Sequence, residues 1–117
     1  MSQNTKTFKK NLELLNENNL TSVEKISLEW VKDIEEANQN GEDLEYIWDR
    51  ALDIEKDTGG KPTKIIFTVG GPYVYLDLFC EPGYIKVFSH EFQAKAKLST
   101  TTLENILDNL EELGYAN

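Results

Sequence analysis

The chain has 117 residues, of which 39% are hydrophobic and 10% aromatic, so one folded domain with an apolar core is expected rather than disorder. Twenty-one acids against twelve bases give a net charge of −9, which opposes direct binding to nucleic acid or to anionic lipid and favours a basic partner. The single cysteine, Cys80, excludes an intrachain disulfide and is typical of a reducing compartment. Because the N-terminus lacks the apolar run of a signal peptide and no segment approaches a membrane span, we expect a cytoplasmic protein that does not bind membranes.

The first half of the chain is predicted to be helical over residues 8–60, after a polar and disordered segment at residues 1–7. The first predicted helix has apolar positions at Phe8, Leu12 and Leu15. Thr21 and Glu24 form a capping box that predicts the start of a second helix. A third helix is predicted over residues 43–57, ending before two glycines.

Carboxylates recur four residues apart along the third predicted helix, where like charges destabilise an isolated helix by roughly 0.2–0.5 kcal/mol per pair. These residues are Glu45, Asp49, Asp53 and Asp57. A second line on the preceding helix consists of Glu29, Asp33 and Glu36, and a third line on the last helix consists of Glu104, Asp108 and Glu112. Four residues of helix rise about 6 Å, close to the roughly 7 Å between successive phosphates of a strand. The first two lines are therefore the candidate partner-binding residues, as a nucleic-acid mimic or as a site for a basic protein. The alternative is a solvated face that keeps the protein soluble.

The apolar period changes from 3.6 to 2 after Pro62, which predicts an antiparallel sheet of four strands over residues 61–98. A C-terminal helix is predicted over residues 100–114, with Thr101 and Glu104 as its cap. We therefore expect a single α+β domain, with N-terminal helices, a four-stranded meander and a C-terminal helix packed on one sheet face.

Turn sequences set the predicted strand register, through loops at residues 69–72 and 80–83 and a tight turn at residues 89–90. The predicted pairs include Lys64 with Asp77, Ile65 with Leu76, Phe67 with Val74, Leu76 with Val87, Asp77 with Lys86, and Val87 with Phe92. One sheet face is then entirely apolar, with Phe92 among its members. The other face collects five aromatic residues, namely Tyr73, Tyr75, Phe79, Tyr84 and Phe88.

Five large rings on one sheet face indicate a covered surface, because contiguous exposed apolar patches usually mark an interface. The charges Lys64, Asp77 and Lys86 cross the middle of this face. Three interpretations stay open: the N-terminal segment folds over the face, a homodimer or another partner covers it, or single-stranded bases stack on it beside the lysines. The negative charge of the molecule opposes the third interpretation.

The sequence contains few residues suited to catalysis. We therefore expect that the protein is not an enzyme and that it binds no metal and no cofactor. His90 and Cys80 are the single histidine and cysteine, and they flank the same predicted strand at opposite ends. That separation excludes a Cys–His nucleophile pair, and one histidine with one cysteine does not supply the ligands of a zinc site.

The acidic helical half and the segment 67–79, a Gly-Gly-Pro hairpin within FTVGGPYVYLDLF, resemble small acidic proteins encoded by phages and other mobile elements of bacteria. That group includes inhibitors of restriction and CRISPR nucleases, some of which mimic DNA. The resemblance implies a non-enzymatic inhibitor of a basic, nucleic-acid-handling protein. Alternatives are an immunity protein or antitoxin that neutralises a toxin enzyme, and a small assembly protein that acts through its aromatic sheet face.

Overall fold

The computed structural model describes residues 21–115, so the disorder predicted for residues 1–7 and the helix predicted around Phe8, Leu12 and Leu15 lie outside the described residues. The fold is α+β, as predicted. Its elements are α1 (Ser22–Gln39), α2 (Asp43–Arg50), β1 (Asp53–Lys56), β2 (Pro62–Thr68), β3 (Tyr73–Asp77), β4 (Tyr84–Ser89), β5 (Phe92–Lys97) and α3 (Thr100–Glu112).

Within residues 21–115 the sheet has five antiparallel strands in the order β1-β2-β3-β4-β5, so the prediction of four strands is wrong. The helix predicted over residues 43–57 ends at Arg50, because Ala51 adopts an extended backbone and Leu52 N donates to Ile66 O. The following residues pair with β2 as strand β1, where Ile54 lies opposite Ile65. Ile54 is half-buried in this strand, and the helical pattern also placed it inward, so the apolar spacing did not distinguish the two structures.

The predicted pairing of β2 with β3 is confirmed at its open end, where Lys64 faces Asp77 and Ile65 faces Leu76. The predicted pair of Phe67 with Val74 is wrong, since the register shifts between Ile66 and Thr68 and Val74 lies opposite Thr68. This irregularity has the form of a β-bulge, which adds one residue to one strand of a pair.

The two other predicted registers are displaced by two residues. Leu76 faces Ile85 rather than Val87, and Val87 faces Ala94 rather than Phe92. The loop between β3 and β4 is longer than predicted, and the last turn lies one residue later, with His90 at φ 56. A displacement of two residues keeps each side chain on its face, so the division into two faces survives. Phe92 also keeps its side of the sheet, opposite Ser89, but it lies at the start of an edge strand and is 63% exposed rather than part of the core.

The capping box predicted for α1 is present: Glu24 N donates to Thr21 Oγ1, and Thr21 N donates to Glu24 Oε1. The predicted cap of the last helix is wrong, because Ser99 is the N-cap and its hydroxyl accepts from Thr102 N at 3.3 Å. Both caps satisfy backbone N–H groups that have no partner within their helix.

The three helices of the described part of the chain share one core with the inner face of the sheet. The inner-face residues in this core are Ile65, Phe67, Val74, Leu76, Ile85, Val87 and Ala96. Trp30 of α1 stacks on Phe67 with 4.6 Å between ring centroids. Trp48 Nε1 of α2 donates to Asn109 Oδ1 of α3 at 2.6 Å, so the helices are also tied to one another.

We call the opposite side of the sheet the outer sheet face. On β2 to β5 its residues are Lys64, Ile66, Tyr73, Tyr75, Asp77, Tyr84, Lys86, Phe88, Gln93, Lys95 and Lys97. On β1 they are Asp53 and Glu55, which pair with Ile66 and Lys64. None of the helices described between residues 21 and 115 has both the length and the apolar character required to cross a membrane.

Candidate functional site

Exposed carboxylates of α1 and α2 form what we call the acidic layer. Its members are Glu29, Asp33 and Glu36 on α1 and Glu45 and Asp49 on α2. Residues 22–50 contain nine acids and three bases, so this part of the surface carries an excess of negative charge. Such a concentration of one sign raises the local potential and attracts a basic partner.

Few of these carboxylates are neutralised locally. Lys32 lies 3.5 Å from Glu36, in an exposed pair of a kind that contributes little to stability. No lysine or arginine among residues 21–115 forms an ion pair with Glu29, Glu45 or Asp49. The charge of the layer is therefore available to another molecule.

Asp53 and Asp57, predicted to continue the line of Glu45 and Asp49, lie outside any helix, so a single helical line of four carboxylates is wrong. Asp53 begins β1, and its Oδ1 accepts from Ile54 N at 2.8 Å. Asp57 Oδ1 accepts from the backbone N–H of Gly59 and Lys61, each at 2.9 Å, and so closes the loop between β1 and β2. Both residues are exposed, but their hydrogen bonds are local.

A groove of about 430 Å³ opens where α1 and α2 meet the β2–β3 hairpin, and we call it the α1–α2 groove. It is lined by Ile26, Glu29, Trp30, Asp33, Tyr46, Arg50, Thr68, Pro72 and Val74. The groove thus brings two carboxylates of the acidic layer beside two aromatic rings and one guanidinium.

The aromatic rings of the α1–α2 groove are fixed by their neighbours. Tyr46 meets Trp30 edge to face, with 6.3 Å between centroids, and its hydroxyl donates to Asp33 Oδ2 at 3.3 Å. The guanidinium carbon of Arg50 lies 3.7 Å from the centroid of the Tyr46 ring. Burial of the Tyr46 hydroxyl raises its pKa, and the nearby Asp33 carboxylate adds to this. Tyr46 and Arg50 were not predicted from the sequence, although their spacing of four residues places them on one helical face.

Three of the five predicted outer-face aromatics come together as an aromatic cluster of Tyr73, Tyr75 and Phe88. The ring centroids of Tyr75 lie 5.1 Å from Tyr73 and 6.0 Å from Phe88. The other two lie apart from this cluster: Phe79 is 65% exposed in the loop after β3, and Tyr84 lies beneath the ammonium of Lys95.

Charged side chains next to the aromatic cluster are paired. Lys86 Nζ lies 2.8 Å from Asp77 Oδ2 and 2.9 Å from Glu81 Oε1, and Lys95 Nζ lies 2.5 Å from Glu81 Oε2. Lys64 lies over the Tyr75 ring at 4.1 Å. A cleft of about 330 Å³ beside this network is lined in part by Lys86 and Lys95, whose ammonium groups are already bound to carboxylates.

Asp77 is the centre of this network and is 4% exposed. Its carboxylate accepts from the backbone N–H of Phe79, Cys80 and Glu81 at 2.8–3.1 Å. Burial opposes ionisation of Asp77, but the hydrogen bonds from Lys86 and from the loop N–H groups outweigh it and hold the pKa below its usual value. The same contact with Asp77 raises the pKa of Lys86. The network therefore fixes the β3–β4 loop in place.

Glu35 is a buried carboxylate that was not predicted from the sequence. It lies on α1, is 4% exposed, and accepts from Ser99 N at 2.5 Å, from Ser99 Oγ at 3.1 Å and from Thr102 Oγ1 at 2.5 Å. The negative charge therefore lies at the N-terminus of α3, where the helix dipole favours an anion. These bonds assign Glu35 to the packing of α1 against α3.

The residues considered for catalysis remain apart. Cys80 lies in the loop before β4 and His90 in the turn after it, and both are exposed. Within residues 21–115, no group of three or more His, Cys, Asp or Glu side chains is arranged to hold a metal ion.

Comparisons with protein-family models, with curated proteins and with solved structures found no match to this chain.

Proposed function

We propose that this protein is a non-enzymatic inhibitor that binds a basic, nucleic-acid-handling protein through its acidic layer. The proposal rests on the state of the carboxylates of the acidic layer, Glu29, Asp33, Glu36, Glu45 and Asp49. They are exposed, they belong to two helices packed against each other, and among the described residues only Glu36 has a cation partner.

The acidic layer favours a protein target over a small ligand. Its charge is spread over two helices rather than gathered in one closed pocket, as expected for a surface that steers a large basic partner into an encounter. Asp53 and Asp57 remain exposed beyond the layer and add to the long-range field, but their hydrogen bonds are to their own loops.

A nuclease is the target class that the spacing of the carboxylates supports. Residues four apart on one helix are separated by about 6 Å along the axis, and successive phosphates of a strand by roughly 7 Å. Carboxylates at this spacing match cationic side chains that a nuclease places for phosphates. The resemblance to inhibitors encoded by mobile elements supports the same target class.

Inhibition of DNA cleavage tests the proposal. We expect the purified protein to inhibit a member of a panel of restriction and CRISPR nucleases at stoichiometric ratio. The variant E29Q/D33N/E45Q/D49N should lose this inhibition while keeping its fold. Its matched control is E91Q/E104Q/D108N/E112Q, which removes the same charge from other exposed positions and should still inhibit.

Salt provides the second readout of this experiment. Between about 50 and about 500 mM salt the screening length falls from about 14 to about 4 Å, so the affinity for the nuclease should fall steeply. Equal inhibition by both variants, an affinity independent of salt, or a panel with no inhibited nuclease would refute the proposal.

A further inference from the structure

The α1–α2 groove differs from the rest of the acidic layer because it combines carboxylates with aromatic walls. We propose that this groove binds the guanidinium group of one arginine side chain from the basic partner. The inference rests on the proposed function and deepens it, since it names the anchoring contact within a surface otherwise described only by its charge.

The groove already holds one guanidinium. Arg50 stacks on the Tyr46 ring at 3.7 Å, and its Nη1 donates to Tyr46 O at 3.2 Å. Within the described part of the chain, Arg50 forms no ion pair with a carboxylate. The wall of the groove therefore accommodates a planar cation. Because Arg50 forms no ion pair with Glu29 or Asp33, it does not cancel the charge of these two groove carboxylates.

Glu29 and Asp33 are placed to receive a second guanidinium. They lie one helical turn apart on α1, about 6 Å along the axis, and Trp30 lies next to Glu29 along the helix and also lines the groove. A guanidinium has five N–H donors in a planar fork and stacks on aromatic rings, whereas an ammonium is a compact and strongly hydrated charge. The two carboxylates beside Trp30 and Tyr46 therefore match arginine better than lysine.

Arg50 sets the affinity of the groove. Its charge repels an incoming cation, and its side chain covers one face of Tyr46. Removal of this side chain should therefore strengthen the binding of a free guanidinium. If Arg50 itself were part of the binding contact, its removal would weaken that binding instead.

Two indole N–H signals provide the measurement, because the protein has two tryptophans. Trp30 lines the groove, whereas the Trp48 indole donates to Asn109, so its signal serves as an internal reference. On titration with N-acetyl-arginine amide followed by NMR, the Trp30 signal should shift with millimolar affinity and the Trp48 signal should not. N-acetyl-citrulline amide, which has nearly the same shape without the charge, should leave both signals in place.

The matched variants are E29Q/D33N and E104Q/D108N. Each removes one glutamate and one aspartate charge at a spacing of four residues on an exposed helix face, but the second pair lies on α3 outside the groove. The first variant should weaken N-acetyl-arginine amide binding by about tenfold or more, since it removes both carboxylates and the loss of one charge-assisted hydrogen bond alone corresponds to about tenfold. The second should leave it unchanged. R50Q should bind several-fold more tightly.

Any of five results would overturn the inference: no binding of the arginine compound, equal shifts with the citrulline compound, equal weakening by both double variants, an equal shift of Trp48, or weaker binding by R50Q. The proposed function can be refuted independently of the groove. If the arginine compound does not bind but nuclease inhibition still depends on the acidic layer, the anchor is wrong and the function stands. If the compound binds and no nuclease is inhibited, the groove is a guanidinium site of a protein with another target.

Discussion

The acidic layer and the outer sheet face both carry ionised side chains, but their surroundings differ. On the outer sheet face, Lys86 bridges Asp77 and Glu81 at 2.8 and 2.9 Å. In the acidic layer, Glu29 and Glu45 have no cation partner among residues 21–115. The charges of the sheet face act on the protein itself, whereas those of the acidic layer remain for another molecule.

Because of this difference, we expect substitutions in the two regions to change different measured quantities. Substitutions in the paired network should change the free energy of unfolding, and substitutions in the acidic layer should change association with a partner. Glu35 shows that the same difference exists within a single helix. It belongs to the same helix as Glu29 and Asp33, but its carboxylate is buried and bound to α3.

The largest effect on stability is expected for Glu35→Ala. This change leaves the buried Ser99 N–H without an acceptor and leaves the Ser99 and Thr102 hydroxyls, 3.0 Å apart, without the carboxylate to which both donate. The free energy of unfolding should therefore fall by about 3 kcal/mol. Urea unfolding followed by circular dichroism measures it. Glu36→Ala, the next residue along α1, removes an exposed ion pair and should change stability by less than about 0.5 kcal/mol. Equal effects of the two substitutions would show that the buried contact does not hold α1 to α3.

The two faces of the sheet were predictable from sequence because side chains alternate with a period of two. The register of β2 with β3 was predictable in part, at Lys64 with Asp77 and Ile65 with Leu76. The register of β3 with β4 was not, since the length of the β3–β4 loop depends on hydrogen bonds that the Asp77 carboxylate accepts from three consecutive N–H groups. Such a contact forms only in the folded loop. The resulting displacement of two residues left the faces intact, whereas a displacement of one would have exchanged them.

The candidate site was predictable in part. The exposed carboxylates Glu29, Asp33, Glu45 and Asp49 follow from helical spacing, but the end of α2 at Arg50 does not, because Ile54 fits the apolar pattern of a helix and of a strand. Glu35 carried a usable signal: it lies four residues after Val31 and seven after Leu28, at a position that the helical period places inward. An acid at an inward position predicts a buried hydrogen-bond network.

A smaller effect is expected for Asp77→Asn on the outer sheet face. The amide keeps the shape of the side chain but loses the charge that binds Lys86 and the loop N–H groups. We expect the free energy of unfolding at neutral pH to fall by about 2 kcal/mol, the range for hydrogen bonds to a charged group. Chemical unfolding at neutral pH measures this difference.

The acid dependence of the same variant distinguishes the charge of the Asp77 side chain from its shape. The folded-state pKa of Asp77 is lowered, so its contribution to stability is present above the ordinary aspartate pKa of 3.8 and is lost as the pH falls through the lower folded-state value. The difference between wild type and Asp77→Asn should therefore be constant near neutrality and shrink below about pH 4. Glu24 also has a lowered pKa, but it lies outside this network and is present in both proteins, so its contribution cancels in the difference. Glu81 shares Lys86 with Asp77, so the difference reports on the Asp77–Lys86–Glu81 network as a unit. A gap that persists at low pH would assign the loss to shape rather than charge.

The smallest effect is expected for the binding of nucleic acid to the outer sheet face. The aromatic cluster of Tyr73, Tyr75 and Phe88 offers rings of the kind on which bases stack. Affinity for a nucleic-acid backbone comes largely from cations that replace its counterions. On this face Lys86 and Lys95 are held by Glu81, and the whole chain carries a charge of −9.

We therefore expect no binding of labelled single-stranded or duplex DNA at physiological salt, measured by fluorescence anisotropy. Glu81→Gln is the variant that tests the reason, because it releases Lys95 and weakens the hold on Lys86 without touching a ring. Weak binding of single strands by Glu81→Gln, lost again on Phe88→Ala, would show that ion pairing keeps this face from nucleic acid. If the wild type binds DNA and this binding depends on Tyr75 or Phe88, the outer sheet face also acts on another molecule. The difference between the outer sheet face and the acidic layer would then be wrong.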